Sequence, residues 1–314
     1  MKWASIMYPA PESSYMPDNE AFEHGTLMYI KKRPIQTTTG ETKEGFIPNL
    51  LIRYDGRFGG SSKILVFFHG NAEDIGLAED LLLHLSEALE VHVLAVEYPG
   101  YGIYRDESTD PESIEEDALA VYEYLTDDFG IKEQDIILFG RSLGSAPASY
   151  LAAKKNPGML VLMSPFTSIK DAAGSLIGRW VKFAVSDIHR NKDHMESIDC
   201  PTYILHGELD TLIPYAHSEE LASKLKGVTD LRIPPMMDHN NFEFYDDLVQ
   251  PLISFMIKNN ILVHPTEEYS YKLAELEFPE EAFEPPKWYK DERNQKKMQT
   301  KSAVRNIATK FQNQ

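Results

Sequence analysis

Short apolar runs alternate with segments of helical periodicity along most of the chain. Uninterrupted apolar runs are typical of strands buried on both faces of a sheet, and they predict strands at residues 64–68, 92–96, 136–139, 159–163, 203–205 and 231–233. Between them, apolar residues at helical spacing predict helices at residues 81–89, 111–125, 142–153, 221–225 and 248–257. Two earlier runs, at residues 27–30 and 50–53, predict an antiparallel strand pair. Repeated strand–helix alternation predicts an α/β fold with a mainly parallel, doubly wound sheet.

The same pattern divides the chain into three parts. Residues 1–25 are rich in proline, which fixes φ and removes backbone donors, so we expect an extended arm. Residues 26–262 carry the strands and helices and are predicted to form one domain. Residues 263–314 form a tail that is acidic at first and then basic. Its positions 304, 307, 308 and 311 have the spacing of a short basic amphipathic helix.

The composition narrows the classes of partner. With 31 basic and 49 acidic side chains, the 314-residue chain has a formal net charge of −18, and nucleic-acid binding needs clustered positive charge. We therefore expect no nucleic-acid partner. The single cysteine, Cys200, cannot form an intramolecular disulfide, which favours a reducing compartment such as the cytoplasm. We find no secretory signal and no run able to cross a bilayer. The histidines lack metal-ligand spacing and no phosphate-binding glycine motif occurs, so we expect neither metal nor cofactor.

The clearest chemical signal is the sequence Gly140-Arg141-Ser142-Leu143-Gly144, which follows a predicted strand and opens a predicted helix. A serine at such a turn projects its hydroxyl above the sheet, and small neighbours let the backbone bend without clashes. We interpret Ser142 as a candidate nucleophile, with Gly140 and Gly144 supporting the turn.

A serine nucleophile needs a base, and the base needs an acid that orients it. Functional loops of parallel sheets lie at the carboxyl ends of strands, so the partners should follow later strands. Asp210 follows the predicted strand 203–205, and His239 follows the predicted strand 231–233. Taken singly, Asp210 has an equally good interpretation as a turn residue, and His239 as a surface residue. Their order and placement together favour a catalytic acid and a catalytic base.

The negative charge that forms on a carbonyl oxygen during such a reaction needs two hydrogen-bond donors. One candidate is the backbone N–H of Leu143, at the start of the predicted helix. The other is the N–H of Asn71, in the loop after the strand 64–68, where Gly70 lets the backbone turn into the site. The alternative interpretation of that loop is an ordinary strand-to-helix connection.

Together these residues resemble the α/β-hydrolase superfamily, and within it the alpha/beta-hydrolase domain-containing protein 17 and protein 13 groups. The similarity covers residues 27–260 and rests on residues 69–76, 98–102, 139–144, 164–166, 201–210 and 239–240. The proline–tyrosine segment at residues 9–15 also resembles the segment that precedes the hydrolase domain in the protein 17 group. The resemblance implies the α/β-hydrolase fold, with Ser142 as nucleophile, Asp210 as acid and His239 as base. Members of the protein 17 group are serine hydrolases that remove palmitoyl groups from membrane-associated proteins. It therefore implies hydrolysis of esters or thioesters, with an acylated protein or a lipid ester as substrate.

Two features depart from the protein 17 group. That group carries an acylated N-terminal cysteine cluster, which this sequence lacks, so membrane anchoring by such a cluster is not expected. The residue before the histidine is usually glycine in the group and is Asp238 here. We expect its carboxylate either to stabilise the His239 imidazolium or to compete with Asp210. The tail has no counterpart in the group.

Between the predicted strands 159–163 and 203–205, residues 164–201 leave room for one or two helices, one of them predicted at 172–185. Such a minimal lid predicts an open site that suits a bulky substrate. An alternative hypothesis makes the chain a structural subunit of a large assembly, docked through its arm and its tail. A third hypothesis places the basic tail helix at the periphery of an anionic membrane, which the acidic body opposes.

Overall fold

The computed structural model describes residues 7–17, 22–32, 35–36, 42–43, 45–56, 60–104, 109–177, 186–261, 263 and 277–290. The basic amphipathic helix predicted in the tail lies outside these residues, as does the second half of the helix predicted at 172–185.

Among the described residues, ten strands form a large sheet and a separate two-stranded ladder. They are β1 (Thr26–Lys31), β2 (Ile35–Gln36), β3 (Thr42–Lys43), β4 (Phe46–Ile52), β5 (Ile64–Phe68), β6 (His92–Val96), β7 (Ile136–Arg141), β8 (Met159–Met163), β9 (Thr202–Leu205) and β10 (Thr229–Arg232). The eight-stranded sheet has the order β1-β4-β6-β5-β7-β8-β9-β10, and β2 pairs with β3. The pairings β1–β4 and β4–β6 are antiparallel and the other pairings of this sheet are parallel. The predicted antiparallel pair and the mainly parallel sheet are confirmed.

Eight α-helices and six 3₁₀ or π-helical turns lie within the described residues. The helices are α1 (Glu79–Leu89), α2 (Pro111–Glu123), α3 (Ser145–Lys154), α4 (Ile169–Ile177), α5 (Asn191–His194), α6 (Ala216–Lys224), α7 (Gln250–Lys258) and α8 (Lys287–Lys290) within the described part of the chain. The shorter turns are Tyr124–Asp128, Glu133–Asp135, Ser142–Gly144, Met195–Ser197, Phe244–Val249 and Glu280–Ala282. Only α4, α5 and one short turn lie between β8 and β9 in the described residues, which agrees with a minimal lid.

The central strands are buried on both faces, which is why they appear in the sequence as uninterrupted apolar runs. In β5, Val66 and Phe68 pack into the core that contains Ile114 of α2. The alternate residues Leu65 and Phe67 pack into the opposite core, with α1 and α7. Helices therefore cover both faces of the sheet, and its carboxyl ends remain as the place for a site.

The described parts of the arm and the tail pack on the chain's own domain. In the arm, Tyr8 and Tyr15 are buried in the two cores, and the Tyr15 hydroxyl donates to Glu97 over 2.7 Å. In the tail, Phe278 and Tyr289 are buried in the same two cores. None of the helices in the described ranges is both long and apolar enough to cross a bilayer.

Candidate active site

The turn after β7 has the sharp geometry expected of its glycine-flanked serine. Ser142 has a φ of 51°, in the left-handed region that residues other than glycine rarely adopt. A Cβ on Gly140 would lie 2.3 Å from the carbonyl oxygen of Gly144, and a Cβ on Gly144 would lie 2.0 Å from the carbonyl oxygen of Phe68. Both glycines are therefore required by close backbone contacts. The helix predicted from residue 142 begins instead with a 3₁₀ turn, Ser142–Gly144, and α3 follows it.

The structure brings the side chains of Ser142, Asp210 and His239 together. His239 Nε2 lies 3.1 Å from Ser142 Oγ, and His239 Nδ1 lies 2.7 Å from Asp210 Oδ2. The three residues follow β7, β9 and β10, whose carboxyl ends lie at the same edge of the sheet. Ser142 and Asp210 are buried, while His239 is half-buried. The serine, histidine and carboxylate therefore form one continuous hydrogen-bonded chain.

The surroundings of Asp210 favour its ionised form. Its Oδ1 accepts the backbone N–H groups of Leu212 and Ile213, over 2.9 and 2.8 Å. Burial acts to raise the pKa of the Asp210 carboxyl, but hydrogen bonds from His206, His239 and the Ile213 N–H outweigh burial and hold the pKa well below its usual range. An ionised Asp210 accepts the Nδ1 proton of His239, so that Nε2 of a neutral His239 can accept the proton of Ser142.

The two candidate oxyanion donors lie on neighbouring strand ends. In the parallel pairing of β5 with β7, Phe68 is opposite Gly140, so the loop that follows β5 begins beside the serine turn. This loop contains Asn71, and Leu143 lies within the 3₁₀ turn on the other side. The backbone N–H groups of both residues therefore belong to segments that border Ser142.

Buried side chains hold the loop that carries Asn71. His69 has no exposed surface, and its ring nitrogens lie 3.0 Å from Glu97 Oε1 and 2.8 Å from the carbonyl oxygen of Gly70. The Tyr101 hydroxyl donates to the side-chain oxygen of Asn71 over 2.6 Å. The start of the loop is thus fixed by contacts to a buried carboxylate and a tyrosine.

Comparison with known proteins finds relatives among hydrolases. The profile of the family described as serine aminopeptidase, S33, matches residues 59–192. The chain is 29% identical over 193 residues to the alpha/beta hydrolase domain-containing protein aho-3 of Caenorhabditis elegans. It is 27% identical over 192 residues to the alpha/beta hydrolase domain-containing protein 17B of Homo sapiens, and each alignment covers 61% of this chain. The chain is thus similar in sequence to alpha/beta hydrolases over about 60% of its length.

The fold of the superfamily extends over most of the chain. The esterase Pf2001 of Pyrococcus furiosus is similar to it over 80% of this chain and 98% of its own, with a TM-score of 0.56 and 18% sequence identity. The aligned part spans 57% of the length of aho-3 and 65% of the length of protein 17B. The resemblance to the protein 17 group is therefore confirmed as a sequence similarity, and the α/β-hydrolase fold is confirmed by the structure.

An arginine inside the serine motif links three loops of the site, a role that the sequence analysis did not predict. Arg141 Nη1 donates to both oxygens of the Glu73 carboxylate, over 3.1 and 3.0 Å, and Nη2 donates to Asn240 Oδ1 over 3.2 Å. Glu73 Oε1 also accepts the backbone N–H of Gly70 over 2.6 Å. The serine turn, the loop of Asn71 and the loop of His239 are joined through this one guanidinium.

The departure at Asp238 has a structural explanation. Its Oδ1 accepts the backbone N–H groups of Asn240 and Asn241, each over 2.8 Å, and its Oδ2 accepts the Asn241 side chain over 2.9 Å. The hydrogen bonds from Asn241 and Asn240 lower the pKa of the exposed Asp238 carboxyl. The observed contacts of this carboxylate therefore close its own turn, and the expected interaction with the His239 imidazolium or competition with Asp210 is not among them.

A small apolar cluster borders the site, apart from the two cores. We call it the rim cluster, and its members are Ala146, Phe166, Ile169, Ala172 and Ile213. They come from the first turn of α3, the segment after β8 and the loop after Asp210. The cluster therefore places apolar side chains beside the loop of Asp210, to which the Ile213 N–H donates. In the part of the chain that the structure describes, no three histidine, cysteine, aspartate or glutamate side chains group as metal ligands would.

Proposed function

We propose that the protein is a serine hydrolase that cleaves ester or thioester bonds. The observation that carries this proposal is the continuous chain from Ser142 Oγ through His239 to Asp210, placed at the carboxyl edge of the sheet. Sequence similarity to alpha/beta hydrolases supports the same reaction class.

In the proposed reaction, Ser142 Oγ attacks the acyl carbonyl while His239 Nε2 takes its proton. The ionised Asp210 holds the imidazole in the correct tautomer and stabilises the imidazolium that forms. The N–H groups of Asn71 and Leu143 are the proposed donors to the developing oxyanion. The His239 imidazolium returns the proton to the departing alcohol or thiol, which leaves an acyl-serine. The neutral histidine then takes a proton from a water molecule that attacks the acyl-serine, and it returns that proton to Ser142 Oγ as the acid is released.

The surface around the opening supports a substrate with an apolar acyl group. The rim cluster lies on one side, and Leu209, Leu212 and Met236 nearby are 50%, 43% and 81% exposed. The loops carrying these exposed side chains run together, since the Leu209 N–H donates to the carbonyl oxygen of Met237 over 3.0 Å. An apolar opening beside a minimal lid suits a long chain attached to a bulky carrier. We therefore propose a palmitoyl-protein or another long-chain lipid ester as the substrate class.

An active-site probe tests the reaction class. A fluorophosphonate should label the native protein and fail to label Ser142→Ala. Ser223→Ala is the matched control, because Ser223 is an exposed serine on α6, and it should label like the native protein. Absence of labelling in the native protein, or equal labelling of Ser142→Ala, refutes the proposal.

An acyl-chain series tests the substrate class. We expect a higher kcat/KM for palmitoyl than for acetyl thioesters. Leu212→Ser should lower palmitoyl turnover about fivefold, since roughly 1 kcal/mol of apolar contact is lost, and leave acetyl turnover unchanged. Ile257→Ser, at a 73% exposed position on α7, is the control and should change neither. Equal or better turnover of the acetyl substrate contradicts the proposed substrate class.

A further inference from the structure

A second buried histidine contacts the carboxylate of Asp210. His206 directly follows β9, and neither its side chain nor Ser218 of α6 has exposed surface. His206 Nε2 lies 2.7 Å from the carbonyl oxygen of Ile213 and 3.2 Å from Asp210 Oδ2. On the opposite side of the ring, His206 Nδ1 lies 2.6 Å from Ser218 Oγ. His206 is thus enclosed between the acid and a buried hydroxyl.

The neighbours of His206 fix the position of its ring proton. The carbonyl oxygen of Ile213 and the ionised carboxylate of Asp210 only accept hydrogen bonds, so Nε2 has to carry a hydrogen. The Ser218 hydroxyl can donate or accept, and it satisfies Nδ1 in either case. The Nε2–H of His206 therefore donates to the Ile213 carbonyl oxygen, and the same nitrogen lies 3.2 Å from Asp210 Oδ2.

With this nitrogen beside it, the carboxylate of Asp210 is contacted on both of its oxygens. Oδ1 accepts two backbone N–H groups, from Leu212 and Ile213, and Oδ2 faces the ring nitrogens of His239 and His206. Three hydrogen bonds and the nearby His206 nitrogen thus surround a carboxylate that offers about four lone-pair sites. Without His206, Oδ2 would keep His239 as its donor on that side, and the carboxylate plane could tilt.

The contacts of His206 also form a closed ring. His206 Nε2–H contacts the Ile213 carbonyl, the Ile213 N–H donates to Asp210 Oδ1, and Asp210 Oδ2 lies beside His206 again. Movement of the loop 210–213 would therefore break several hydrogen bonds together. This closed arrangement fixes the carboxylate oxygen that His239 uses.

We propose that His206, held by Ser218, is a positioning residue for Asp210, so that the catalytic chain has five side chains rather than three. This inference rests on the proposed function, because a position for Asp210 matters only if Asp210 orients the base. The Ser218–His206 pair acts through Asp210 and has no contact with the reacting carbonyl.

Nitrogen-15 NMR of histidine-labelled protein tests the proton assignment without any turnover. In the native chain and in Ser142→Ala, the His206 Nε2 resonance should be that of a protonated, hydrogen-bonded nitrogen. In His206→Gln the signal of the His239 Nδ1–H bonded to Asp210 should persist, because a glutamine amide can donate from about the position of Nε2. An unprotonated His206 Nε2 overturns the proposal.

Kinetics with a matched control test the positioning role. We expect His206→Leu to lower kcat about tenfold with KM unchanged, and His206→Gln to keep kcat within about threefold of native. His92→Gln is the control, because His92 is a buried histidine at the opposite end of the sheet that accepts the Tyr54 N–H, and it should leave kcat unchanged. A folded His206→Leu with native kcat overturns the proposal. If His206→Leu fails to fold, the NMR spectrum of the native chain and the kcat of His206→Gln decide.

Failure of the two proposals can be told apart. If the fluorophosphonate does not label Ser142, the serine hydrolase proposal fails. If Ser142 is labelled and hydrolyses substrate, yet the His206 variants behave as His92→Gln does, only the positioning role of His206 fails.

Discussion

The link between Arg141 and Glu73 leads to the most informative prediction. Replacing Arg141 by Gln removes the charged partner of Glu73 and loosens the contact with Asn240. The Glu73 carboxylate would still accept the Gly70 N–H, but its negative charge would be largely buried without the Arg141 guanidinium beside it. Because Gly70 precedes Asn71, we expect the loop of the proposed oxyanion donor to shift.

The partial burial of Arg141 and Glu73 determines how strongly the two side chains should be coupled. The side chains of Arg141 and Glu73 are 14% and 20% exposed, with Nη1 3.0 Å from Oε2. Exposed ion pairs contribute about 0–1 kcal/mol, and breaking a fully buried pair costs about 3–5 kcal/mol. A coupling of about 2 kcal/mol in the free energy of unfolding is therefore expected between these two side chains.

A double-mutant cycle measures this coupling. Arg141→Gln, Glu73→Gln and the double variant are compared with the native chain by urea unfolding and by kcat. The pair Lys226 and Glu196 is the control, because its side chains are 64% and 67% exposed at 3.7 Å, and its coupling should stay below about 0.5 kcal/mol. We expect each single variant of the Arg141 pair to lower kcat about tenfold, and the double variant to be no worse than the poorer single one.

Two results would refute this reasoning. One is a coupling no larger than that of the control pair, which would show that Arg141 and Glu73 act independently. The other is a native kcat in Arg141→Gln, which would show that the guanidinium does not support the loops of the site.

Two further predictions concern the serine turn and the arm. Gly144→Ala should lower the free energy of unfolding by about 2–3 kcal/mol and abolish most activity, because its Cβ would lie 2.0 Å from the carbonyl oxygen of Phe68. Gly130→Ala is the control, because its Cβ would meet nothing within 4 Å. It should lower the free energy of unfolding by about 1 kcal/mol through its positive φ and leave activity unchanged. Burial lowers the pKa of His189, which contacts the Tyr8 hydroxyl, to about 4, so its contribution to stability is present above about pH 6.5 and is lost as the pH falls toward 4. Between pH 7 and pH 4, the free energy of unfolding measured with urea should therefore fall by about 3 kcal/mol more in the native chain than in His189→Asn.

Each of these two predictions has a contradicting result. Equal stability and activity of the Gly144 and Gly130 variants would show that the close backbone contact is not required. The same pH dependence in the native chain and in His189→Asn would show that His189 is not buried in its neutral form against the arm.

The interior strands could be predicted from sequence because burial on both faces leaves a direct signal. The runs at 64–68 and 159–163 coincide with β5 and β8. The edge strand β10 has no such signal, since its residues Thr229–Arg232 are half-buried or exposed. Its place is set by pairing with β9, from Thr229 opposite Thr202 to Arg232 opposite Leu205, and the apolar run at 231–233 predicted it two residues late.

The proximity of Ser142, Asp210 and His239 could also be predicted, because chain order and strand ends restrict where these loops meet. Arg141 could not be identified in the same way. It occupies the variable position of the motif, and its partner Glu73 is 68 positions away along the chain. Only the paired strands β5 and β7 bring the two side chains together.

The role of Asp238 was missed for a different reason. An aspartate beside a candidate base suggested an electrostatic role, whereas the following Asn240 and Asn241 offered a local signal for a turn closed by its carboxylate. Short-range turn chemistry competes with longer-range electrostatics for the same side chain, and here the local hydrogen bonds are the ones formed.

The left-handed backbone of Ser142 sets stability against turnover at a single position. A non-glycine residue held at a φ of 51° carries about 1–3 kcal/mol of strain, which glycine would relieve. Laboratory evolution that selects for thermal stability alone should therefore favour glycine at position 142, and the most stable variants would lack activity. Variants that keep the serine would have a lower free energy of unfolding and would retain the nucleophile.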